Sequence, residues 1–424
     1  MIIGNFQSLS TNSVKKDALD IIKTGLAAAD PSLYLKKIIK NNYLILPHGK
    51  INLRKYEKIL IVSVGKASYL MARTADSLIC ANSGIIISPT RIKVNTKKFK
   101  VITAGHPFPN NNSIAAAKSV VKYIGAATTK DLVIFLISGG ASSLVSLPDG
   151  ITLREKQKTT KLLLQSGASI QEINCVRKHL SKIKGGKLLE HVRSDAVSLV
   201  MSDVVGNDLS SIASGMTYCD FTSFSDAKKI LKKYRLDGLV PKNVLRHIDF
   251  GIKGKIAETP KMAKIPNIVI ASNDDCLDAM KHRAQNLGYT VKVVKNISSN
   301  VVDLSMRLSK IAVGKKYCII FGGESTVVVK GNGKGGRNQE LVLRISHNLS
   351  KQSKNSTVVS LGTDGIDGNT SCAGAIWQSG KPMNNVTKYL ADNNSHNFFK
   401  KYGGLIFTGY TGTNLLDIGV VLTK

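Results

Sequence analysis

Asp131-Leu-Val-Ile-Phe-Leu-Ile-Ser-Gly-Gly-Ala-Ser-Ser143 joins an unbroken apolar run to a turn of small residues. A strand apolar on both faces belongs in a sheet covered on both sides, the situation of parallel sheets. The run is about six residues long, against the roughly 18 that a bilayer crossing needs. Outward from it the same alternation continues. Short β-branched runs at 59–63, 84–88, 100–104, 131–138 and 196–201 are separated by helical periodicity at 66–79, 112–127, 153–166 and 170–189. That order predicts an α/β domain with a Rossmann-like parallel sheet. Residues 13–41 read as two helices broken at Asp30-Pro31, where Asp caps and Pro takes the first helical position.

A polar, Pro-bearing stretch at 250–266 interrupts the pattern, so the domain boundary is expected there, giving domains 1–252 and 253–424. Strands at 267–271, 290–294 and 318–321 and helices at 274–287 and 301–313 make the second half α/β as well. Further strands at 325–330, 357–361, 405–407 and 419–422 give this smaller domain a mixed sheet. The fold class is therefore α/β in two domains.

The 424 residues are 43% hydrophobic and 21% charged, an ordinary globular composition. No basic-then-apolar leader opens the chain, so a cytoplasmic location without membrane attachment is expected. The six cysteines are scattered without C-x-x-C or zinc-ligand spacing and read as reduced core residues. The net charge of +32 raises the question of nucleic acid. The lysines, however, are spread along helices and aromatics are only 6%, so the charge reads as solvated faces rather than a nucleic-acid site.

Small and functional residues collect just past the strands: Ser63-Val-Gly-Lys66, Ser138-Gly139-Gly140-Ala-Ser142-Ser143, Ser202-Asp203-Val-Val-Gly-Asn-Asp208, Gly322-Gly-Glu324 and Gly362-Thr-Asp364-Gly-Ile-Asp367-Gly368. Ligands of open α/β sheets bind off the carboxyl ends of the strands. The Ser138 turn offers N–H groups and hydroxyls to a carboxylate or phosphate, and Lys66 offers a charge to a phosphoryl oxygen. Gly65-Lys66-Ala-Ser68 lacks the first P-loop glycine, because position 60 is Leu. His106 braces a turn or touches substrate. Asp203, Glu324, Asp364 and Asp367 have the chemistry for a divalent cation. Glycines 331–336, with Lys334, Gly335, Gly336 and then Arg337 at a helix start, suit a phosphate; they also satisfy G-x-G-x-x-G, the dinucleotide fingerprint.

These motifs together resemble the glycerate 2-kinase (MOFRL) family along nearly the whole chain. The resemblance rests on Val64-Gly-Lys-Ala-Ser68, Gly105-His-Pro-Phe-Pro109, Leu136-Ile-Ser-Gly-Gly-Ala-Ser-Ser143, Asn174-Cys-Val-Arg-Lys-His-Leu-Ser-Lys-Ile-Lys-Gly-Gly-Lys187, Ser202-Asp-Val-Val-Gly206, Gly335-Gly-Arg-Asn-Gln-Glu340, Gly362-Thr-Asp-Gly-Ile-Asp-Gly368 and Thr411-Gly-Thr-Asn414. It implies ATP-dependent phosphorylation of glycerate to 2-phosphoglycerate, with Mg²⁺ or another divalent cation, in a cleft between the two domains. It also implies Lys66 and Arg337 acting on the transferred phosphoryl group, and Asp203 as metal ligand or proton acceptor. The expected partner is the small-molecule substrate, D-glycerate, and a homodimer is allowed. Met216, Tyr410, Ala141 and Asn207 depart from the family pattern. The competing reading of the glycine run is an NAD(P)H-dependent hydroxypyruvate reductase.

Overall fold

The described residues of the computed structural model are 2–92, 97–311, 316–352, 356–380 and 383–423. They divide into a continuous unit, Pro31–Ile270, and a discontinuous one that joins Met1–Asp30 to Ala271–Lys424.

The continuous unit begins with the antiparallel strands β1 (Ile39–Lys40), β2 (Tyr43–Leu46) and β3 (Gly49–Asn52). Its main sheet uses β4 (Lys58–Val64), β5 (Ser83–Ser88), β6 (Phe99–Thr103), β7 (Asp131–Ile137), β8 (Asp195–Met201) and β9 (Asn267–Ala271) in the order β6-β5-β4-β7-β8-β9. Strands β4 to β8 are parallel. Every residue of β7 is buried, as its apolar run requires in the middle of a covered sheet. The strand order is that of a Rossmann sheet, and it reverses between β4 and β7. The carboxyl ends of these two strands therefore open the crevice where such a sheet binds ligands.

Helices beside this sheet start where the sequence supplies capping pairs. Thr152 with Glu155 begins Leu153–Gln165, Ser169 with Glu172 begins Ile170–His179, and Ser223 with Asp226 begins Phe224–Lys233. These three and Lys242–Ile252 bury Leu163, Val176, Phe224, Leu231, Val244 and Ile248 together. The helix expected over 170–189 stops at His179. Gly185 and Gly186 adopt positive φ, 59° and 83°, which an α-helix excludes, and only a 3₁₀ turn, Lys187–His191, follows.

The discontinuous unit holds β10 (Thr290–Ile297), β11 (Tyr317–Gly323), β12 (Ser356–Gly362), β13 (Gly374–Gln378), β14 (Leu405–Ile406) and β15 (Asp417–Thr423) in the order β10-β11-β15-β12-β13-β14. Among the described strands of this sheet only the β10–β11 pair is parallel, so the expected mixed sheet is present. The expected strand at 325–330 is absent from it. Its Val328 and Val329 are 62% and 73% exposed, and the N–H of Lys330 donates to the Asn393 side chain instead of a ladder. The expected helix at 301–313 is Val301–Ile311, residues 312–313 lying outside the described set.

Helix Ser13–Ala28 packs on helix Asn273–Asn286 and β15. A Cβ at Gly25 would lie 2.6 Å from Met280 Sδ and 2.9 Å from Ile418 Cδ1, so the contact needs glycine. Arg283 Nε donates to Asp20 at 2.7 Å across the helix pair, and Tyr289, just before β10, donates to Asp17 at 2.9 Å. These contacts place the amino-terminal helix in the unit of the carboxy-terminal half. The units accordingly divide at 30/31 and 270/271, whereas composition suggested a single division at 252/253. Strand β9, assigned to the second half by its sequence position, is the outer neighbour of β8.

In β13 a Cβ on Gly374 would stand 2.0 Å from the Ser360 carbonyl oxygen. Gly374→Ala is expected to destabilise the chain by about 1–3 kcal/mol through forced strand displacement. A urea titration followed by circular dichroism reads this, and an unchanged midpoint would mean the ladder yields without cost.

Candidate active site

At the β4/β7 crevice two backbone turns are pressed together. Gly65 has φ +130°, and a Cβ there would sit 2.2 Å from Ser138 Oγ and 2.5 Å from its carbonyl oxygen. Ser138 N–H donates to Val64 O (3.0 Å), Lys66 N–H to Gly139 O (2.8 Å) and Ala67 N–H to Ser138 Oγ (3.0 Å). Ser138 is 1% exposed, so its hydroxyl braces the turn. Gly140, at φ +83°, opens the short helix Ala141–Leu144. A Cβ on it would meet His106 Cδ2 at 2.9 Å and Lys66 Cγ at 3.7 Å, so both side chains lie over this glycine. Ser142 Oγ accepts from Arg177 Nη2 at 2.6 Å and shares a hydrogen with Ser214 Oγ at 2.8 Å. Lys66, Ser138, Gly139, Gly140 and Ser142 thus lie together, with Ser138 and Gly139 buried beneath. Asp203 follows β8, the parallel neighbour of β7, and is partly buried.

The discontinuous unit gathers its own charges at one end of the mixed sheet. Asp417 starts β15 and pairs in register with Gly323 of β11 and Gly362 of β12. Its carboxylate accepts from Arg337 Nε at 2.6 Å and Nη2 at 3.1 Å, while Nη1 reaches Glu324 at 2.6 Å. Burial disfavours the guanidinium charge, but Asp417 and then Glu324 outweigh it and push the Arg337 pKa up. A Cβ on Gly362 would lie 3.1 Å from Asp364 Oδ1 and 3.4 Å from Asp417 Oδ1, which brings Asp364 into the group. Asp417 was not singled out by the sequence. Its one local signal is its place just after Thr411-Gly-Thr-Asn414.

The glycine run is built differently from the open cradle its sequence suggests. The N–H groups of residues 331–335 already have acceptors: Gly331 on Asn393 Oδ1 (3.1 Å), Asn332 on Asp392 Oδ1 (3.0 Å), Gly333 on Asp392 O (2.9 Å), Lys334 on Asn394 Oδ1 (3.2 Å) and Gly335 on Asn369 Oδ1 (3.0 Å). The glycines admit the chain's own backbone, since a Cβ on Gly333 would sit 2.3 Å from Asp392 O. Lys334 itself is exposed. The helix that follows, Arg337–Ser350, has its start occupied by Asp367. That carboxylate accepts from the N–H groups of Asn338 (3.0 Å) and Gln339 (2.9 Å) and from both side-chain amides (3.2 and 3.0 Å). Burial pushes the Asp367 carboxyl up, and these backbone donors pull it back. The run also lies in the mixed sheet's unit and does not follow the first strand of a Rossmann sheet, the place a dinucleotide fingerprint occupies.

Each unit has carboxylates with the chemistry of a divalent-cation ligand: Asp203 in the continuous unit, and Glu324, Asp364 and Asp417 in the discontinuous one. Among the described residues no group of three His, Cys, Asp or Glu converges as a ready metal cage. The donor set suits Mg²⁺, which takes one or two carboxylates and fills the rest with phosphate and water.

Comparison with known proteins gives concordant findings. The family model described as a domain of unknown function, DUF4147, matches residues 17–249, and that of the MOFRL family matches 317–417. The glycerate 2-kinase of Pyrococcus horikoshii is 36% identical, over 96% of this chain and 97% of that one. The D-glycerate 2-kinase of Thermotoga maritima is 35% identical, again over 96% and 97%. The crystal structure of glycerate kinase from Thermotoga maritima superposes with a TM-score of 0.81 at 34% identity, covering 96% of this chain and 99% of that one.

The four donors on Asp367 make a direct test of its structural part. Asp367→Ala strands them in the interior and is expected to lower stability by about 3 kcal/mol or more. Thermal unfolding measures this, and a midpoint equal to wild type would mean that water replaces the carboxylate.

Proposed function

Because the chain belongs to the MOFRL-type glycerate 2-kinase family, we propose that it transfers the γ-phosphoryl group of ATP to the C2 hydroxyl of D-glycerate, giving 2-phosphoglycerate. The observation that carries this reading is the β4/β7 crevice, where Lys66 lies over the Gly139-Gly140 turn of a chain that aligns with glycerate 2-kinases almost end to end. Phosphoryl transfer asks for placement and charge neutralisation more than covalent chemistry from the protein. Lys66 neutralises charge on the transferring group from a turn that is locked at its backbone. Arg337 contributes the same service with its orientation set by Asp417 and Glu324. Asp203 accepts the proton of the attacking hydroxyl or shares the cation.

A divalent cation, when bound, offsets the charge of the donor phosphates. Asp203, Glu324 and Asp364 are the carboxylates proposed to hold it, Asp367 being committed to the helix start. Lys334 meets the donor through its ammonium group, since its own amide and those of residues 331–333 and 335 are taken. The work is done in the cytoplasm, a reading supported by the free state of all six cysteines; no helix among the described residues is long and apolar enough to cross a membrane. The reductase reading loses its support with the glycine run, whose amides serve the fold.

Lys66→Met is expected to lower kcat with ATP and D-glycerate by about 10³-fold, the scale of losing a preorganised charge at a transferring group, with the unfolding midpoint unchanged. Near-normal turnover would sink the assignment. Asp417→Asn loosens Arg337 and is expected to reduce kcat by about 10- to 100-fold, with a smaller change in KM for either substrate. Steady-state kinetics separates the two constants. Removal of divalent cations by EDTA should abolish turnover, and added Mg²⁺ should restore it; full activity in EDTA would exclude the cation.

A further inference from the structure

The helical layer of the continuous unit buries positive charge beside Ser142. Lys156, Lys178 and Lys184 are 6%, 4% and 2% exposed, and Arg177 lies among them. Lys178 has a carboxylate, Asp220, at 3.2 Å. The others have none within ion-pair distance among the described residues, Asp149 acting on Lys156 only from farther off. Lys184 Nζ ends on the carbonyl oxygen of Ala213 at 3.1 Å, and Arg177 on Asn174 Oδ1 at 3.4 Å and Ser142 Oγ at 2.6 Å. Lys156 Nζ has no hydrogen-bond or ion-pair partner among the described residues. Burial, then repulsion by Arg177, draws the Lys156 ammonium down to about 7, and burial with repulsion by Lys156 and Arg177 draws Lys184 lower still. Isolated buried cations oppose folding, so their retention points to a group that is absent from the folded chain itself.

The loop against these cations is strained. Ala213, Ser214 and Gly215 hold successive positive φ values of 53°, 55° and 61°. Gly185 N–H donating to Ser214 O (3.0 Å) and Gly186 N–H to Gly215 O (2.7 Å) keep them there. Left-handed backbone at Ala and Ser costs free energy, and it persists here where it sets Ser214 Oγ on Ser142 and Ala213 O on Lys184.

We propose that Lys156, Arg177 and Lys184, with the hydroxyls of Ser142 and Ser214, form an anion site that holds the carboxylate of the acceptor acid. This rests on the function proposed above and assigns the substrate-binding half of it. A planar guanidinium and a hydroxyl pair match the two oxygens of a carboxylate. Lys156 and Lys184 are almost wholly enclosed and Arg177 is half-buried, which suits a small acid better than the long charged tail of a nucleotide. A 2-hydroxy acid carries its hydroxyl on the next carbon, so a carboxylate beside Ser142 directs that hydroxyl toward Gly140 and the Lys66 stem above it.

Lys156→Met and Lys184→Met keep side-chain length and remove the charge. Each should raise KM for D-glycerate by about 30-fold or more, the usual loss when one partner of a buried charged contact is removed, with KM for ATP unchanged. The thermal midpoint of the apo chain should stay equal or rise, because an unpaired buried cation is lost. An unchanged KM for D-glycerate, or a rise confined to ATP, overturns the site. If wild type fails to phosphorylate D-glycerate, the proposed function falls and the anion site is judged by inorganic phosphate. Phosphate should then raise the thermal midpoint of wild type and not that of the Lys156→Met/Lys184→Met double variant, and equal shifts would overturn it.

Discussion

Between Gly65 and Ser138 there is no room for a side chain, and the placement of the reactive groups in the continuous unit follows from that contact. The β4–β7 ladder runs in register to Val64 and Ile137, so the two turns leave the sheet side by side. Hydrogen bonds between them then continue the ladder past the last strand residues. Lys66 therefore rises from backbone held on both sides rather than from a free loop. A charge so mounted loses little further conformational freedom when a ligand arrives, and that is where much of the effect of a preorganised group originates.

The mixed sheet reaches a comparable result by other means. Its antiparallel strand β15 delivers Asp417 to the end of the sheet at which β11 and β12 finish. Register alone sets that carboxylate between Gly323 and Gly362, and Arg337 lies against it. An arginine held in two-pronged fashion by one acid keeps its third nitrogen on Glu324, so its plane is defined before any substrate is present.

Much of this was legible in the chain. The apolar run of β7, the alternation around it and the small residues after each strand follow from local chemistry, and they led to the Rossmann-like sheet and to Lys66 and the Ser138 turn. What escaped depends on partners distant in sequence. A glycine that admits a phosphate and one that admits residues 392–394 of its own chain look alike in sequence, which is why 331–336 suggested a cradle. The valines at 327–329 have strand propensity but join no ladder, the chain beside them being held by the Asn393 side chain. Helical periodicity runs on past His179, yet Gly185 and Gly186 are bound to the 213–215 loop and turn the chain away. Asp417 is an ordinary acid until β11 and β12 flank it, and Lys156 and Lys184 are ordinary lysines in a lysine-rich chain until their burial is seen.

The division of the chain at 30/31 and 270/271 has a consequence for how the protein comes into being. The continuous unit has all its strands once residue 271 has left the ribosome, and it can close around its own core while synthesis goes on. The discontinuous unit must hold its first helix in waiting through that whole interval. Its central strand, β15, comes last of all its strands, and until it is made β11 and β12 have no neighbour to satisfy their facing edges. Helix Ser13–Ala28, with a buried face shaped around Gly25 for Met280 and Ile418, stays without its seat for as long. Translation speed through the second half, and any chaperone that shields an amphipathic amino-terminal helix, thus bear on the yield of one unit and leave the other untouched.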